Sequence, residues 1–320
     1  MSLAGKTIAV TGATGFLGRH VVVALAAAGA KIRTLARTQP VHPAWRDLSP
    51  EVVVGSLSDR EALVRLVDGA DRVVHIAGLI KAIDANEFMR VNRDGSRLLA
   101  EVAAQRAPGA ALTLISSLAA REPTLSGYGA SKRAAEEAVF KVLGRGAVTV
   151  LRPPAIYGPG DRETLAFFKL GRWRRIPVLG HPDARVALVH VEDAARQIAA
   201  AVAASPTGCI HALADDQPKG YTWREVLTAA AISVGNPQPR FFDVPAGVTR
   251  MVGVTSGAVS ALTRRATMVN PGKVRELLHR DWSVSDAEIL TLNGMGARIG
   301  LQAGFASTAA WYRRARWLNF

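Results

Sequence analysis

The sequence contains a single cysteine, Cys209, among its 320 residues. One cysteine excludes an internal disulfide and a zinc site built from cysteines, and it is typical of proteins that work in a reducing compartment. We find no charge-free run of about twenty apolar residues, so we expect no membrane-spanning helix. The amino terminus shows no charged leader, long apolar stretch and cleavage site in succession. We therefore expect a cytoplasmic protein without a metal centre.

Acidic residues are scarce relative to basic ones. The chain has 40 Lys and Arg against 26 Asp and Glu, a formal net charge of +14. Such an excess favours anionic partners, but no nucleic-acid-binding motif accompanies it, so we expect no nucleic-acid partner. The excess is pronounced in residues 264–320, with nine basic and four acidic residues. At 49% hydrophobic and 21% charged residues, the chain can build a substantial core.

A glycine-rich loop lies between an apolar strand at 6–10 and an apolar helical run at 19–28. Its glycines are three residues apart, at Gly12, Gly15 and Gly18. A strand, loop and helix in this order direct backbone N–H groups and the positive end of a helix at a pyrophosphate. The first two glycines permit a tight turn, and the third lets the helix pack close to the sheet. We predict that this loop binds a dinucleotide through Gly12, Thr14, Gly15, Phe16 and Leu17.

The second predicted strand, residues 31–36, is followed by Arg37. An acidic residue at this point would hold the ribose 2′-hydroxyl of NAD, whereas an arginine can bind the 2′-phosphate of NADP. The sequence therefore favours NADP(H) over NAD(H). The alternative is that Arg37 is an ordinary surface arginine.

Strands and helices alternate six times through residue 151. This alternation predicts an α/β protein with a Rossmann-type, doubly wound parallel sheet, in which ligands bind beyond the carboxyl ends of the strands. Gly12, Arg37, Gly78 and Ser117 all follow predicted strands and should lie at that edge. The other predicted elements are strands at 52–55, 72–76, 112–115 and 148–151 and helices at 60–67, 88–105 and 126–143.

Tyr128 and Lys132 are four residues apart on a predicted helix, so their side chains share one face. A free tyrosine has a pKa near ~10, and an adjacent ammonium favours the phenolate and lowers that pKa. The pair is therefore a candidate acid/base device. The alternative is a helical tyrosine beside a solvated lysine.

In the order and spacing of its motifs, the sequence resembles the extended short-chain dehydrogenase/reductases. That family includes NAD-dependent epimerases/dehydratases, dihydroflavonol-type reductases and 3β-hydroxysteroid dehydrogenases. The resemblance spans about residues 5–205 and rests on Thr11–Gly18, His75–Gly78, Asn92, Ser116-Ser117, Tyr128–Lys132, Arg152-Pro153, Tyr157–Pro159 and Val189–Asp193. Residues 269–282 and 311–313 resemble steroid-dehydrogenase-like and lipid-linked reductases, including ceramide keto-reductases.

The resemblance implies a role for each site residue. Tyr128 would exchange a proton with the substrate oxygen, and Lys132 would lower the pKa of Tyr128 and hold the nicotinamide ribose. Ser117 would hydrogen-bond the substrate oxygen, with Ser116 as the alternative in a register uncertain by one residue. Asn92 would steady the active-site helix. The implied cofactor contacts also include Ser56, Leu57, Ala77, Gly78 and Pro153.

Two departures from the family pattern bear on function. The family often has Asp-Leu where this chain has Ser56-Leu57, which puts an acidic contact to adenine in doubt. Some dehydratases carry a glutamate after the active serine, whereas this chain has Leu118. The difference argues against dehydration.

We predict an NAD(P)-binding domain at 1–155, to which 186–205 returns, and a smaller substrate-binding lobe formed by 156–185 and 206–320. The lobe is rich in aromatic residues and contains a semi-apolar run at 244–262. An apolar helix flanked by basic residues lies at a membrane surface or packs as a core helix. The Trp and Arg residues of the tail suit a membrane interface or a helix docked on its own domain.

We therefore interpret the chain as an NAD(P)-dependent oxidoreductase of an apolar, lipid-like ketone or alcohol. The substrate is a sterol-like ring or a 3-ketosphingolipid such as an oxidised ceramide, reached by a peripheral protein at an anionic membrane surface. A nucleotide-sugar epimerase or reductase is the alternative, and a non-catalytic NAD(P)-binding assembly protein is the second alternative. Family analogy adds a homodimer through the helices that flank the serine.

Overall fold

The computed structural model describes residues 2–39, 45, 48–263, 270–292 and 296–319. It divides into two compact units, one of Met1–Pro153, Ala195–Ala212 and Leu290–Met295, the other of Pro154–Ala194, Leu213–Ile289 and Gly296–Phe320. In chain order the strands of the described residues are β1 (Thr7–Thr11), β2 (Lys31–Ala36), β3 (Glu51–Val54), β4 (Arg72–His75), β5 (Ala111–Ile115), β6 (Val148–Arg152), β7 (Ala155–Tyr157), β8 (Arg175–Val178), β9 (Arg185–Val186), β10 (Leu188–His190), β11 (Ile210–Ala212), β12 (Tyr221–Thr222), β13 (Arg240–Asp243) and β14 (Asp281–Trp282). Their α-helices are α1 (Phe16–Ala27), α2 (Arg60–Val67), α3 (Ala85–Phe88), α4 (Gly95–Arg106), α5 (Gly127–Leu143), α6 (Leu165–Gly171), α7 (Val191–Ala203), α8 (Trp223–Ser233), α9 (Ala246–Thr263), α10 (Pro271–Leu278) and α11 (Leu301–Arg314).

The first unit is built on a seven-stranded sheet in the order β11-β6-β5-β4-β1-β2-β3. Every pair of neighbours in this sheet is parallel. The chain adds β2 and β3 on one side of β1, then returns and adds β4, β5 and β6 on the other side. The predicted α/β, Rossmann-type class is confirmed, and the order of strands reverses between β1 and β4, where such sheets bind ligands.

Aliphatic side chains of the strands and helices form the core of this unit. Helix α2 is an example of an amphipathic helix that packs on the sheet. Its buried residues recur at the spacing of one helical face: Ala62, Leu63, Leu66 and Val67. They pack in one cluster with residues of α4, α5 and the central strands. Strand β11 was not predicted from the sequence. Only three residues long, it is too short to show a period.

The helix predicted at 88–105 is interrupted in the structure. Helix α3 passes into a π-helix over Met89–Asp94, and α4 begins only at Gly95. The π-helix contains the buried Asn92, whose side chain is bound outside the helix, and π-turns are frequent at functional sites. Apolar spacing alone carries no sign of the change from α to π geometry.

The second unit combines small sheets with an aromatic core. It contains the parallel pairs β7–β10 and β8–β13 and the three-stranded set β12-β9-β14. The rings of Phe168 and Phe305 stack at 5.1 Å between centroids, and Phe168 meets Tyr312 edge-on at 5.1 Å. Such pairs add to the stabilisation from apolar burial.

The aromatic tail packs on its own unit. Trp317 stacks on Tyr312 at 5.6 Å and meets Trp311 edge-on at 5.0 Å. The Arg162 guanidinium lies 4.7 Å from the centre of the Trp317 ring, a cation–π contact. Of the two arrangements predicted for the tail, the structure has the docked one. Among the described residues, no helix has the length and apolarity needed to cross a membrane.

Candidate active site

The glycine loop joins β1 to α1 at the edge where the strand order reverses. Gly12 has a φ of +74°, and a Cβ there would lie 2.5 Å from the Ala77 backbone nitrogen, beyond the end of β4. A Cβ on Gly18 would lie 2.0 Å from the Gly12 carbonyl oxygen. Both glycines are therefore required by close backbone contacts. Gly15 closes the turn, because its N–H donates to the Gly12 carbonyl at 3.0 Å.

Helix α1 presents its amino terminus at this loop. Gly15 precedes the helix, no side chain caps its first turn, and that turn contains no acidic residue. Its backbone N–H groups and the helix dipole therefore suit an anion. Phe16 and Leu17 are half-buried and Thr14 is exposed at the loop.

Asn92 links the segment after β4 to helix α5. Only 1% of the residue is exposed. Its Oδ1 accepts a hydrogen bond from the Leu79 N–H at 2.7 Å, and its Nδ2 donates to the Leu79 carbonyl at 3.0 Å and to Ser131 Oγ at 2.9 Å. Ser131 Oγ in turn donates to the Tyr128 carbonyl at 2.8 Å. This network connects the backbone after β4 to the first turn of α5 through two side chains.

Gly78 lies beside this network. A Cβ on Gly78 would be 3.0 Å from Asn92 Oδ1 and 3.7 Å from Lys132 Nζ. The structure therefore brings the predicted cofactor residue Gly78 together with Asn92 and Lys132.

Helix α5 carries the candidate acid/base pair in its first two turns. Ser126 caps the helix by accepting from the Gly129 N–H at 2.9 Å. Tyr128 is half-buried, with its ring 5.9 Å from that of Phe88. Lys132 is 6% exposed, and its Nζ donates to the Ile115 carbonyl at 2.7 Å. Burial lowers the pKa of Lys132 to about 8, and the negative charge of Glu136 opposes this shift.

The two serines after β5 point to different partners. Ser116 is buried, and its hydroxyl donates to the Glu136 carboxylate. Ser117 is half-buried and precedes a 3₁₀ turn, Leu118–Arg121, with its Oγ accepting from the Ala119 N–H at 3.2 Å. The hydroxyl of Ser117 still has a proton to donate, because it serves there as an acceptor. This arrangement favours Ser117 over Ser116 as the substrate-binding serine.

The turn after Ser117 packs against the start of α5. A Cβ on Gly129 would lie 2.6 Å from the Ala119 carbonyl oxygen. The Leu118 N–H donates to the Pro153 carbonyl at 2.9 Å. Pro153 therefore lies next to the serine turn, at the end of β6.

Sequence reasoning missed a buried ion pair next to these residues. Arg152 donates through Nε to Glu136 Oε1 at 2.8 Å and through Nη2 to Oε2 at 2.6 Å. Glu136 is 1% exposed. The available signal was its position, since Glu136 lies four residues after Lys132 on the same helical face.

His75 does more than fill the core. Its Nδ1 lies 2.6 Å from Thr11 Oγ1 and its Nε2 lies 2.8 Å from Ser96 Oγ. Ser96 Oγ donates to the Asn92 carbonyl, so His75 Nε2 donates to Ser96 and Thr11 donates to Nδ1. Burial, and then the positive charge of Lys132, lowers the pKa of His75 to about 3. A neutral imidazole therefore links the glycine-loop strand to the π-helix.

The remaining cofactor candidates lie beside the neighbouring strands. Arg37 follows β2 and is exposed, and it forms no ion pair with any described residue. Ser56 follows β3, with its Oγ 3.0 Å from Ser58 Oγ. Leu57 packs against the core of the unit, and a Cβ on Gly95 would touch it at 3.0 Å. Leu57 therefore offers an apolar contact and no charge.

Taken together, this edge of the sheet fits a dinucleotide. The positive-φ glycine, the close backbone contacts and the uncapped helix leave N–H groups for a pyrophosphate. Beyond it, the end of β5 is followed by the Ser117 hydroxyl, and helix α5 carries the Tyr128 phenol and the Lys132 ammonium. Such a set can bind a carbonyl oxygen and exchange a proton with it.

Comparisons with known proteins agree with this geometry. The family model for the NAD dependent epimerase/dehydratase family matches residues 8–210. The chain is 48% identical over 312 residues to the ceramide reductase of Caulobacter vibrioides, covering 97% of this chain and 96% of that protein. It is 32% identical over 193 residues to sterol demethylase protein B of Methylococcus capsulatus, covering 52% and 58% of the two chains. The UDP-glucose 4-epimerase of Thermus thermophilus, solved in complex with NAD, shares the fold with a TM-score of 0.71 and 22% identity, covering 97% and 99%.

Proposed function

The chain belongs to the NAD-dependent epimerase/dehydratase family, and from that membership we propose that it reduces a ketone on a ceramide-type lipid with NADPH. The observation that carries the proposal is the 48% identity to a ceramide reductase along 97% of the chain. An identity that extends over both units supports a shared substrate class as well as a shared fold.

The functional groups of a ceramide determine which of its carbons can accept a hydride. A ceramide contains an amide carbonyl and hydroxyl groups. The amide carbonyl is stabilised by resonance with its nitrogen, so it is a poor hydride acceptor. The substrate we propose is therefore a ceramide in which a hydroxyl has been oxidised to a ketone, as in a 3-ketoceramide.

Each site residue has a role in this reaction. A nicotinamide cofactor, held by the glycine loop and Lys132, would supply the hydride to the carbonyl carbon. Ser117 Oγ donates a hydrogen bond to the carbonyl oxygen and orients it. Tyr128 gives its phenolic proton to the same oxygen as negative charge develops there. The Lys132 ammonium stabilises the phenolate that Tyr128 becomes.

We propose NADP(H) as the preferred cofactor. The support is Arg37, an exposed guanidinium directly after β2 with no acidic partner among the described residues. Glu51, the acid at the start of the neighbouring strand β3, is bound to Arg33 at 2.7 Å. A 2′-phosphate near Arg37 would gain a charge-assisted contact that NAD lacks.

We also propose that the protein reaches its substrate from an anionic bilayer. Helix α9 supports this, because Val248, Met251 and Val254 are 45%, 62% and 61% exposed along one side. On the opposite side, a Cβ on Gly253 would lie 2.6 Å from the Val274 side chain. Arg250 is exposed beside the apolar stripe, and Arg264-Arg265, which follow in the sequence, lie outside the described residues. Apolar and basic groups together suit an anionic lipid surface.

A homodimer through α4 and α5 stays a prediction. The exposed sides of these helices carry the ion pairs Arg97–Glu101 and Arg133–Glu137. A dimer formed there would therefore have a polar interface.

The test of the proposed reaction compares Tyr128→Phe with wild type on a 3-ketoceramide in mixed vesicles with NADPH. Loss of the proton donor should lower kcat by about 10²–10⁴-fold, while the NADPH dissociation constant changes less than about threefold. The matched control is Tyr312→Phe, whose hydroxyl donates to the Asp161 carbonyl within the core of the second unit. The control should retain turnover.

Other outcomes have distinct meanings. If wild type ignores the ketoceramide but converts a UDP-sugar, the nucleotide-sugar alternative is correct. If Tyr128→Phe keeps wild-type turnover, the assignment of Tyr128 is wrong. Tight NADPH binding with no turnover of either class would indicate the non-catalytic alternative.

A further inference from the structure

The Glu136 carboxylate connects three parts of the candidate site: helix α5, the end of β5 and the end of β6. We propose that Glu136, held by Arg152 and Ser116, is a positioning residue that keeps Lys132 charged and fixes the serine turn. This inference deepens the proposed function and rests on the Tyr128 and Lys132 roles given there.

Both oxygens of the Glu136 carboxylate accept hydrogen bonds from other residues of the protein. The carboxylate accepts two hydrogen bonds from Arg152, at the end of β6, and one from Ser116, at the end of β5. Buried charges are tolerated when they are paired and hydrogen-bonded in this way. One side chain of α5 therefore binds the carboxyl ends of two neighbouring strands.

The same contacts fix the position of Ser117. Ser116, the residue before it, is held by Glu136 and by its own N–H, which donates to the Leu151 carbonyl at 2.7 Å. Leu118, the residue after it, is held by the Pro153 carbonyl. Ser117 thus lies between two anchored residues.

The electrostatic effect of Glu136 falls on Lys132. On α5 the charged neighbour of Lys132 is Glu136, one turn further along, and Tyr128 lies one turn before it. From β4 the facing titratable group is His75, which is neutral. From β6 the facing charge is Arg152, which is paired with Glu136. Glu136 is therefore the negative charge that favours the ammonium, against a burial that disfavours it.

The consequence is a dependence of the acid/base pair on Glu136. Without the carboxylate, burial acts unopposed and Lys132 loses its proton at a lower pH. Tyr128 then loses the ammonium that stabilises its phenolate. The Tyr128 phenolate should therefore form at a higher pH than in wild type. The pH above which turnover decreases should be lower than in wild type.

The four tyrosines of the chain make this measurable without any substrate. Burial raises the pKa of Tyr157 and of Tyr312 far above the ordinary value. Burial, with the hydrogen bond and charge of Asp215, does the same for Tyr221. The first tyrosinate absorbance to appear as the pH rises should therefore report Tyr128.

The experiment titrates tyrosinate absorbance in the cofactor-free protein for wild type, Tyr128→Phe and Glu136→Gln. Tyr128→Phe should remove the earliest transition. Glu136→Gln should move that transition to higher pH, because Lys132 then carries less positive charge at a given pH. Glu136→Asp keeps the charge and should keep the midpoint near that of wild type.

Two further variants separate electrostatics from folding. Glu276→Gln removes another buried carboxylate, paired with Lys273 at 3.0 Å in the second unit, and should leave the transition in place. Removing one partner of a buried pair destabilises a protein, whereas replacing both often does not. E136Q/R152M therefore repeats the measurement if E136Q does not fold. It should show an upward shift smaller than that of E136Q, because the repulsion between Arg152 and Lys132 is removed along with the attraction of Glu136.

The outcomes distinguish this inference from the proposed function. If E136Q and E136Q/R152M keep the wild-type midpoint, or if Glu276→Gln shifts it equally, the inference is wrong. With active protein, the alkaline limb of kcat should move to lower pH in E136Q and stay in place in E136D. Failure of wild type to reduce a ketoceramide would overturn the proposed function, but it would leave the titration result intact.

Discussion

Replacing Gly18 with alanine tests the most demanding contact in the cofactor loop. Gly18 is in the first turn of α1 and is buried. An alanine there would direct its Cβ at the Gly12 carbonyl oxygen, 2.0 Å away, and at Ala13 Cα, 2.8 Å away. Both contacts are with backbone, so no side-chain rotation relieves them.

Two opposing terms set the size of the effect. Alanine favours a helix over glycine by about 1 kcal/mol. Overpacking costs about 1–3 kcal/mol, and a 2.0 Å contact with backbone belongs at the upper end. We expect a net loss of about 1–2 kcal/mol in the free energy of unfolding. Cofactor affinity should decrease more than stability. The new Cβ and the Gly12 carbonyl oxygen must separate to an ordinary contact of ~3.5 Å, which moves the loop by over ~1 Å. A displacement of this size breaks hydrogen bonds from the loop to the cofactor.

The assay is an NADPH titration followed by thermal unfolding of the cofactor-free protein. Losing one hydrogen bond to a charged group weakens binding by about 1.5–3 kcal/mol, or at least about tenfold. The matched control is Gly247→Ala, another glycine-to-alanine change in a helix, with no heavy atom within 4 Å of the new Cβ. It should leave both quantities unchanged or raise Tm slightly. NADPH binding by Gly18→Ala within about twofold of wild type would refute the reasoning.

Two further changes test the cofactor and membrane proposals. Arg37→Glu should weaken NADPH binding at least about tenfold while leaving NADH binding largely unchanged, because only the 2′-phosphate loses a cation; an equal loss for both cofactors in parallel fluorescence titrations would contradict this. Met251→Glu should reduce sedimentation with phosphatidylglycerol vesicles but not NADPH affinity, since it adds a negative charge to the exposed side of α9. Ile232→Glu, the same change at a 43% exposed position on α8, should bind as wild type does, and equal binding by all three proteins would exclude α9 as the contact surface.

The parallel sheet could be predicted because its strands and helices follow one another at regular intervals. Strand β2 and helix α2 begin and end at the predicted residues. The glycine loop could also be predicted, since glycines between a strand and a helix have a specific physical use. A buried parallel strand needs apolar residues on both faces, and this requirement can be recognised in the sequence as a continuous apolar run.

The contacts around helix α5 could not be predicted in the same way. The hydrogen bonds from Asn92 to Leu79 and Ser131 join residues 13 and 39 positions away. The pairing of Glu136 with Arg152 depends on the meeting of α5 and β6. Helical spacing shows that a glutamate shares a face with Lys132, but not which cation will satisfy it once it is buried. The partner of a buried charge is a property of the fold.

The substrate proposal depends on the residues after 210, and similarity of fold does not show which substrate they bind. A UDP-glucose 4-epimerase has the same fold at 22% identity, so the sheet alone is compatible with sugar nucleotides and lipids. The family model ends at residue 210, about 110 residues before the end of the chain. The alignment with the ceramide reductase covers 97% of the chain, which leaves only about ten residues outside it. Nearly all of α8 to α11 therefore shares ancestry with that reductase, in the region where a substrate-specific lobe is predicted. If exchanging residues 213–320 for those of a sugar-nucleotide enzyme left ketoceramide reduction intact, specificity would have to come from the sheet edge instead.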